Sequence, residues 1–311
     1  MTSARVVAPT RRRPGRRRWP TIIAFLAPAL ILYLLFVIYP ITQGIRYSGY
    51  DWNGLKPLTD WVGFGNFRKI FADPAFIGAM KHNGIILVLS LVLQLPFALA
   101  LAVLLNQRLR GRAIMRMMFF APYVVSEVVT AVVWRQLLRP GGFFDHTLAA
   151  VGGEGLTQEW LANPKIVLYS VFFVVTWKYF GFHMIIMLAG LQQIPAELRE
   201  AAAIDGATWG QTFRYVTLPL LGPTIRISVF LSIIGSLQLF DLIWVMTGGG
   251  PVNASNTMAT YMIDWGFRRM QIGYASAVSV VVFAISLVVA LAYQRWVLRR
   301  DVEGALTAMG A

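Results

Sequence analysis

The chain has 311 residues, of which 57% are hydrophobic and 14% are charged, and it contains no cysteine. Soluble domains carry about a quarter charged residues, so this composition excludes an ordinary soluble protein and indicates a chain that lies in a bilayer. The lack of cysteine also excludes a disulfide framework, a thiol nucleophile and a cysteine-ligated metal site. The three histidines, His82, His146 and His183, show no metal-binding spacing.

The net charge of +14 is concentrated at the N-terminus, where seven arginines fall within the first 18 residues. A basic block directly before an apolar run is typical of a cytoplasmic flank. Residues 1–19 are therefore predicted to be a basic cytoplasmic arm that fixes the topology or binds anionic lipid. No basic domain interleaved with aromatic residues follows, so no nucleic-acid partner is expected.

Six apolar segments have the length of roughly 20 residues that a membrane-spanning helix needs. Together they predict an all-α membrane domain over residues 20–300, followed by a short tail at 301–311. The predicted spans lie near residues 20–42, 79–105, 114–138, 165–190, 221–245 and 273–297.

The distribution of charge between the loops predicts the orientation of the spans. With a cytoplasmic N-terminus, the inner segments hold 17 basic and five acidic residues, whereas the outer segments hold ten basic and eight acidic residues. Because basic residues are retained on the inner side, both termini are predicted to be cytoplasmic.

Residues 194–219 form a polar interruption on the predicted inner face and have the features of a helix-turn-helix. Pro195 suits a helix start, and Gly206 suits a helix stop where positive φ is required. Thr208 and Gln211 have the spacing of a capping box for a second helix. These features alone leave two interpretations open, an amphipathic connector on the membrane and a docking element for another protein.

The residues of this segment carry a resemblance to a known family. Glu200-Ala201-Ala202, Gly206 and Leu218-Pro219 match the spacing of the EAA loop of binding-protein-dependent ABC importer permeases. The stretches "TWKYFGFHMIIMLAGLQQIPAELREAAAIDGA" and "LFDLIWVMTGGGP" resemble the MalF/UgpA-like branch of carbohydrate importers. One position departs from that pattern, since Val216 stands where isoleucine is commoner.

The resemblance implies the type I ABC importer permease fold in the inner membrane of a bacterial cell. It also implies that the EAA loop docks into a cytoplasmic ATPase, with Asp205 and Gly206 at the turn between its helices. The expected partners are a second, MalG-like permease, two nucleotide-binding ATPase subunits, an extracytoplasmic sugar-binding protein and membrane lipid. The chain has no GxxxxGK[ST] sequence, so it is not expected to be an enzyme, and ATP and Mg²⁺ are expected on the partner ATPase.

The same resemblance implies a sugar pathway along the fourth and fifth spans, for which a neutral di- or oligosaccharide is the expected substrate. Aromatic faces and hydrogen-bonding groups suit such a ligand, although serine can instead serve helix packing and aromatics an interfacial belt. The candidate pathway residues are Trp177, Lys178, Tyr179, Phe182, Ser232, Ser236, Gln238 and Asp241.

Two charged residues fall at predicted membrane depth, Lys178 and Glu127. A lone charge in hydrocarbon is unfavourable by roughly 2.5–3.5 kcal/mol on insertion scales, so both should face protein or water. Glu127 is expected to line the pathway, to pair with a basic residue or to lie nearer the outer surface. A cavity or helix contact is preferred to a role in a proton relay.

A glycine-rich loop follows the fifth span. Gly248, Gly249, Gly250 and Pro251 are predicted to form a tight outer loop because glycine permits positive φ. The resemblance implies an external gate here, and a plain connecting turn is the alternative.

Three other functions were weighed against the importer. An ion-coupled secondary transporter would show repeats and several ionisable sites in its spans, and a membrane enzyme would show clustered His, Asp and Glu residues. Neither pattern is present in the sequence. A scaffold without transport is distinguished only by measuring uptake.

Overall fold

The computed structural model describes residues 18–107 and 109–298 of the chain. Two predicted segments lie largely outside these described residues: the arm at 1–19, of which only the last two residues are described, and the tail at 301–311. Arg108 also lies outside them. Within the described ranges the chain forms sixteen α-helices and no strand. A single antiparallel bridge joins Tyr50 and Trp61 there.

The first half of the described chain holds eight helices. They are α1 (Arg18–Tyr33), α2 (Tyr39–Tyr47), α3 (Gly65–Ala72), α4 (Pro74–Leu89), α5 (Leu95–Leu105), α6 (Arg112–Val124), α7 (Glu127–Leu137) and α8 (Phe143–Ala150). The second half holds α9 (Val167–Gln193), α10 (Ala196–Ile204), α11 (Trp209–Thr212), α12 (Leu218–Leu220), α13 (Gly222–Leu237), α14 (Asp241–Met246), α15 (Met258–Ile263) and α16 (Ile272–Tyr293).

Three short π-helical segments each end two residues before a proline. Leu34–Ile38 precedes Pro40, Ser90–Gln94 precedes Pro96, and Phe213–Thr217 precedes Pro219. Proline lacks an N–H group and its ring clashes with the carbonyl group one turn earlier. A locally widened turn relieves that clash, so α1–α2 and α4–α5 continue as single long helices.

Four of the predicted spans appear as continuous helical stretches, Ile22–Tyr47, Pro74–Leu105, Val167–Gln193 and Ile272–Val297. Two bent helix pairs raise the number of spans among the described residues to six if each pair counts as one. The described residues thus form an all-α structure with four to six helices that are long and apolar enough to cross a membrane.

The third and fifth predicted spans are not continuous helices. The segment 114–138 divides into α6 and α7, which meet at 96°. The segment 221–245 is interrupted at residues 238–240, between α13 and α14. On the inner side, α13 follows the helical stretch Trp209–Leu220 at a 65° bend.

The long helix α9 is the centre of the packing. Its N-terminal half packs in a core with α7 and α14 that includes Trp134 and Leu242, and its C-terminal half packs with α5 around Met184. Two glycines on α9 allow neighbouring helices to approach it closely. A Cβ on Gly181 would lie 1.9 Å from the Phe119 carbonyl oxygen on α6, and one on Gly190 would lie 2.4 Å from Thr224 Oγ1 on α13.

A second core forms where α4, α15 and α16 meet, around Phe76, Tyr261 and Val278. In contrast, the most apolar stretch of Ile22–Tyr47 has no residue buried within the described chain. Such a surface requires lipid or another apolar protein surface as its surroundings.

Candidate functional site

Helices α10 to α12 form a helix-turn-helix, as predicted for residues 194–219. Helix α10 begins directly after Pro195 and ends at a left-handed glycine, Gly206, with φ +82°. The Gly206 amide donates to the Ala203 carbonyl oxygen, and the Ala207 amide donates to that of Ala202. These two bonds form a Schellman motif, which closes the turn through the main chain alone.

The second helix of this projection begins with the predicted capping box. The Gln211 amide donates to the Thr208 hydroxyl oxygen at 3.4 Å, and the Thr208 amide donates to Gln211 Oε1 at 2.7 Å. This helix also carries an aromatic face, because the rings of Trp209 and Phe213 stack with centroids 5.6 Å apart and planes 5° apart.

The projection exposes apolar side chains that nothing in the described chain covers. Ile204 at the end of α10 is 86% exposed, and Trp209 and Tyr215 are also exposed. Of the predicted coupling residues, the exposed ones are Glu200, Ala201, Asp205, Gly206 and Pro219, whereas Ala202 and Leu218 are half-buried. A surface of this kind suits contact with another protein.

A cavity of about 410 Å³ lies between the membrane helices. This volume falls in the range of small-ligand sites. Its walls come from α4–α5, the α6–α7 bend, α9, α13 and the α13–α14 connection. The cavity brings together six of the predicted pathway residues, Tyr179, Phe182, Ser232, Ser236, Gln238 and Asp241.

The other two predicted pathway residues lie outside the cavity lining. Trp177 packs edge-on against Trp134, with centroids 5.3 Å apart. The buried Lys178 ammonium donates to the carbonyl oxygens of Pro122, Tyr123 and Val125, at 3.5, 3.5 and 2.5 Å. These carbonyl groups lie at the break between α6 and α7, where they have lost helical partners.

Glu127 begins α7 and lines the cavity. The Tyr179 hydroxyl donates to its carboxylate. Of the placements expected for Glu127, cavity lining and helix contact are therefore both observed. Beside it the rings of Tyr123 and Phe182, which also line the cavity, stack 4.7 Å apart at 17°.

The sequence did not single out Ser90 and Gln94, which line the same cavity. Both are buried, as is His183 on the facing wall. Gln94 Nε2 and His183 Nδ1 have no hydrogen-bond partner among the described residues. The signal for the first pair was present, because two polar residues four positions apart in an apolar span share one helical face.

The loop after α14 is a tight turn, as predicted. Gly248 and Gly249 have φ of +61° and +86°, and the Gly250–Pro251 peptide is cis. The Ser255 hydroxyl closes the loop by donating to the Gly250 carbonyl oxygen at 2.6 Å. A Cβ on Gly249 would lie 2.7 Å from Asn256 Oδ1, so only glycine fits there.

Residues 94–301 match the protein family described as the binding-protein-dependent transport system inner membrane component. A probable ABC transporter permease protein of Pyrococcus horikoshii is 35% identical over 279 residues, covering 89% of this chain and 95% of that protein. The lactose transport system permease protein of Rhizobium radiobacter is 34% identical, covering 89% and 93%.

A solved structure is similar over most of the chain. It is that of a bacterial ABC transporter involved in the import of the acidic polysaccharide alginate. The match has a TM-score of 0.79 at 26% sequence identity and covers 92% of this chain and 96% of that chain.

Proposed function

Since the chain belongs to the family of binding-protein-dependent transport system inner membrane components, we propose that it forms half of the translocation pathway of an ATP-driven sugar importer. A second permease of similar fold supplies the other half. The uncovered apolar surface of Ile22–Tyr47 supports this arrangement, because part of it is then buried against the second permease and the rest against lipid.

The projection formed by α10 to α12 couples this permease to a cytoplasmic ATPase. The observation that carries this proposal is the exposed pair of helices joined by a main-chain turn at Gly206, with the EAA spacing from Glu200 to Pro219. A rigid, exposed element of this kind transmits a displacement of its partner to the membrane helices that follow it. The partner ATPase binds ATP and Mg²⁺.

The chain is oriented with both termini in the cytoplasm of a bacterial cell and its outer loops toward a sugar-binding protein. The excess of basic residues in the inner segments supports this orientation. The loop Gly248–Pro251 then lies at the outer end of the pathway, where it acts as an external gate.

The cavity between the membrane helices binds the sugar during its passage. Its stacked aromatic wall and its buried hydroxyl and amide groups support this assignment, because sugars present apolar faces and many hydroxyl groups. The substrate is a neutral di- or oligosaccharide. The relatives transport lactose in one case and alginate in the other, so relatedness alone leaves the charge of the sugar open.

Co-purification from membranes tests the coupling role. A tagged wild-type chain is expected to bring down an ATPase and a second permease. A Gly206→Pro variant is expected to lose the ATPase and keep the permease, because proline cannot adopt positive φ and lacks the N–H that donates to Ala203.

Gly152→Pro provides the matched control. Gly152 has φ +80°, and its amide donates to the Ala149 carbonyl oxygen in a predicted outer segment. The same substitution at that site, which also replaces a positive-φ glycine and removes an amide hydrogen bond, is expected to leave the ATPase bound. If no ATPase accompanies even the wild type, the importer proposal fails, and an ion-coupled secondary transporter becomes the better explanation of any uptake.

A further inference from the structure

We propose that the central cavity selects sugars by charge and excludes those that carry negative groups, with Glu127 and Asp241 as the residues that determine this specificity. The inference rests on the proposed function, because it concerns the sugar that this cavity receives. It goes beyond that function by naming the physical basis of discrimination.

The lining of the cavity is acidic. Glu127 and Asp241 both line it, and among the residues that the structure describes no lysine or arginine does. Lys178, which precedes the lining residue Tyr179 in sequence, is buried against the carbonyl oxygens of the α6–α7 break and does not line the cavity. Glu127 is half-buried and Asp241 is exposed within the described residues, and two like-charged carboxylates oppose the entry of an anion beside them.

Glu127 is held in place for this role. Its carboxylate accepts a hydrogen bond from the Tyr179 hydroxyl, and Tyr179 lies on the rigid helix α9. A carboxylate has roughly four acceptor sites, so Glu127 retains capacity for the hydroxyl groups of a bound sugar. The Tyr179 hydroxyl thus orients the carboxylate without satisfying it.

Two further groups give the cavity lining unpaired polar atoms. Gln94 and His183, which are 2% and 4% exposed, line it and each carries a nitrogen with no partner among the described residues. Leaving a buried polar group unpaired is unfavourable, so a ligand or water is required to satisfy it. Gln94 and the nearby Ser90 carry no charge, which suits hydroxyl groups better than ions.

The aromatic wall completes the recognition. Tyr123 and Phe182 stack at 17° and both line the cavity. A sugar ring packs its C–H face on such rings and directs its hydroxyl groups toward the carboxylates. A uronate or phosphate group would instead meet Glu127 or Asp241, while an amine would be attracted to them.

Direct binding to the purified full transporter in nanodiscs tests this inference. The probes are three trisaccharides of similar size: maltotriose, which is neutral, trigalacturonate, which is anionic, and the glucosamine trimer, which is cationic. Saturation-transfer NMR detects weak binding to the membrane subunits without the sugar-binding protein. We expect trigalacturonate to bind the wild type at least about tenfold more weakly than the other two, because like charges oppose binding.

The double variant Glu127→Gln, Asp241→Asn is expected to remove most of that difference in affinity. The control is Asp60→Asn, which changes an exposed acid outside the cavity and is expected to retain the difference. Equal binding of all three sugars to the wild type overturns the inference without any variant. Unchanged discrimination in the double variant overturns the assignment to these residues. If none of the three sugars binds while the ATPase still co-purifies, the assignment of the cavity as a sugar site is wrong but the importer proposal stands. If the ATPase does not co-purify, the proposed function itself is wrong.

Discussion

The Lys178 ammonium nitrogen lies 2.5 Å from the carbonyl oxygen of Val125. This contact joins the middle of α9 to the break between α6 and α7, which meet at 96°. A positive charge at the C-terminal end of a helix is favourable because the unpaired carbonyl groups there carry partial negative charge. The contact therefore explains how a buried lysine is tolerated and how the bend is held.

Replacing this lysine by methionine is expected to destabilise the protein by roughly 2 kcal/mol, since hydrogen bonds to charged groups contribute about 1.5–3 kcal/mol each. Lys178→Met should lower the melting temperature, measured by intrinsic tryptophan fluorescence in detergent. Lys165→Met, at an exposed lysine, should leave it unchanged. A melting temperature equal to or above the wild type would show that the desolvation of the charge outweighs its hydrogen bonds.

Gly181→Ala is expected to force α9 away from α6. The new Cβ would lie 1.9 Å from the Phe119 carbonyl oxygen, and overpacking of this kind costs about 1–3 kcal/mol or more. Gly84→Ala places the same methyl group on α4, where nothing lies within 4 Å, and should be neutral or slightly stabilising. Equal melting temperatures for the two variants would contradict the close approach of the two helices.

Ile204→Arg is expected to weaken ATPase binding by at least about tenfold, because a large apolar group at the centre of an interface carries much of the binding energy. The side chain is 86% exposed, so the melting temperature should not change. Leu55→Arg, at an 81% exposed leucine in a predicted outer segment, is the control. Retention of the ATPase by Ile204→Arg in a co-purification titrated with salt would place the docking surface elsewhere.

Tyr261→Phe is expected to loosen the outer end of the bundle. The Tyr261 hydroxyl donates to the Asp73 carboxylate and lies 2.8 Å from the Tyr274 hydroxyl. Removing this hydroxyl should lower the free energy of unfolding by about 1 kcal/mol at neutral pH, measured by thermal unfolding. Tyr215→Phe, at an exposed tyrosine, is the control and should cost nothing measurable.

The same tyrosine predicts a pH dependence. Burial, followed by the bond to Asp73, raises the pKa of Tyr261 above its ordinary value of 10.0. A raised pKa means that the neutral form is favoured in the folded state, so its contribution is complete below pH 10.0 and is lost as the pH rises further. The melting temperature of Tyr261→Phe should therefore fall less steeply above that pH than that of the wild type.

Much of the fold could be predicted from local signals. Apolar length gave the four continuous spans, and the glycine at 206 with the Thr208–Gln211 spacing gave the turn and cap of the projection. These features depend on residues close in sequence. Ser232 and Ser236, which lie four positions apart among the predicted pathway residues, both line the cavity.

The break in the third span could not be predicted in this way. It occurs at Val125 and Ser126, where a serine N-cap and the nearby Pro122 give only a weak local signal. The break is stabilised by a lysine more than 50 residues later. The placement of Lys178 outside the cavity has the same origin. A residue's charge predicts that it needs a partner, but the partner here is a set of backbone carbonyl groups created by the tertiary structure.

At the Gly206 turn, the backbone conformation does not depend on the neighbouring side chains. Because main-chain hydrogen bonds alone close it, the side chains of Asp205 and Ala207 are not needed to hold its form. In the proposed coupling role, substitutions there alter which ATPase is recognised while the two helices keep their relative position. Such a turn lets related importers diverge in partner choice by changing a few side chains while the backbone conformation is kept.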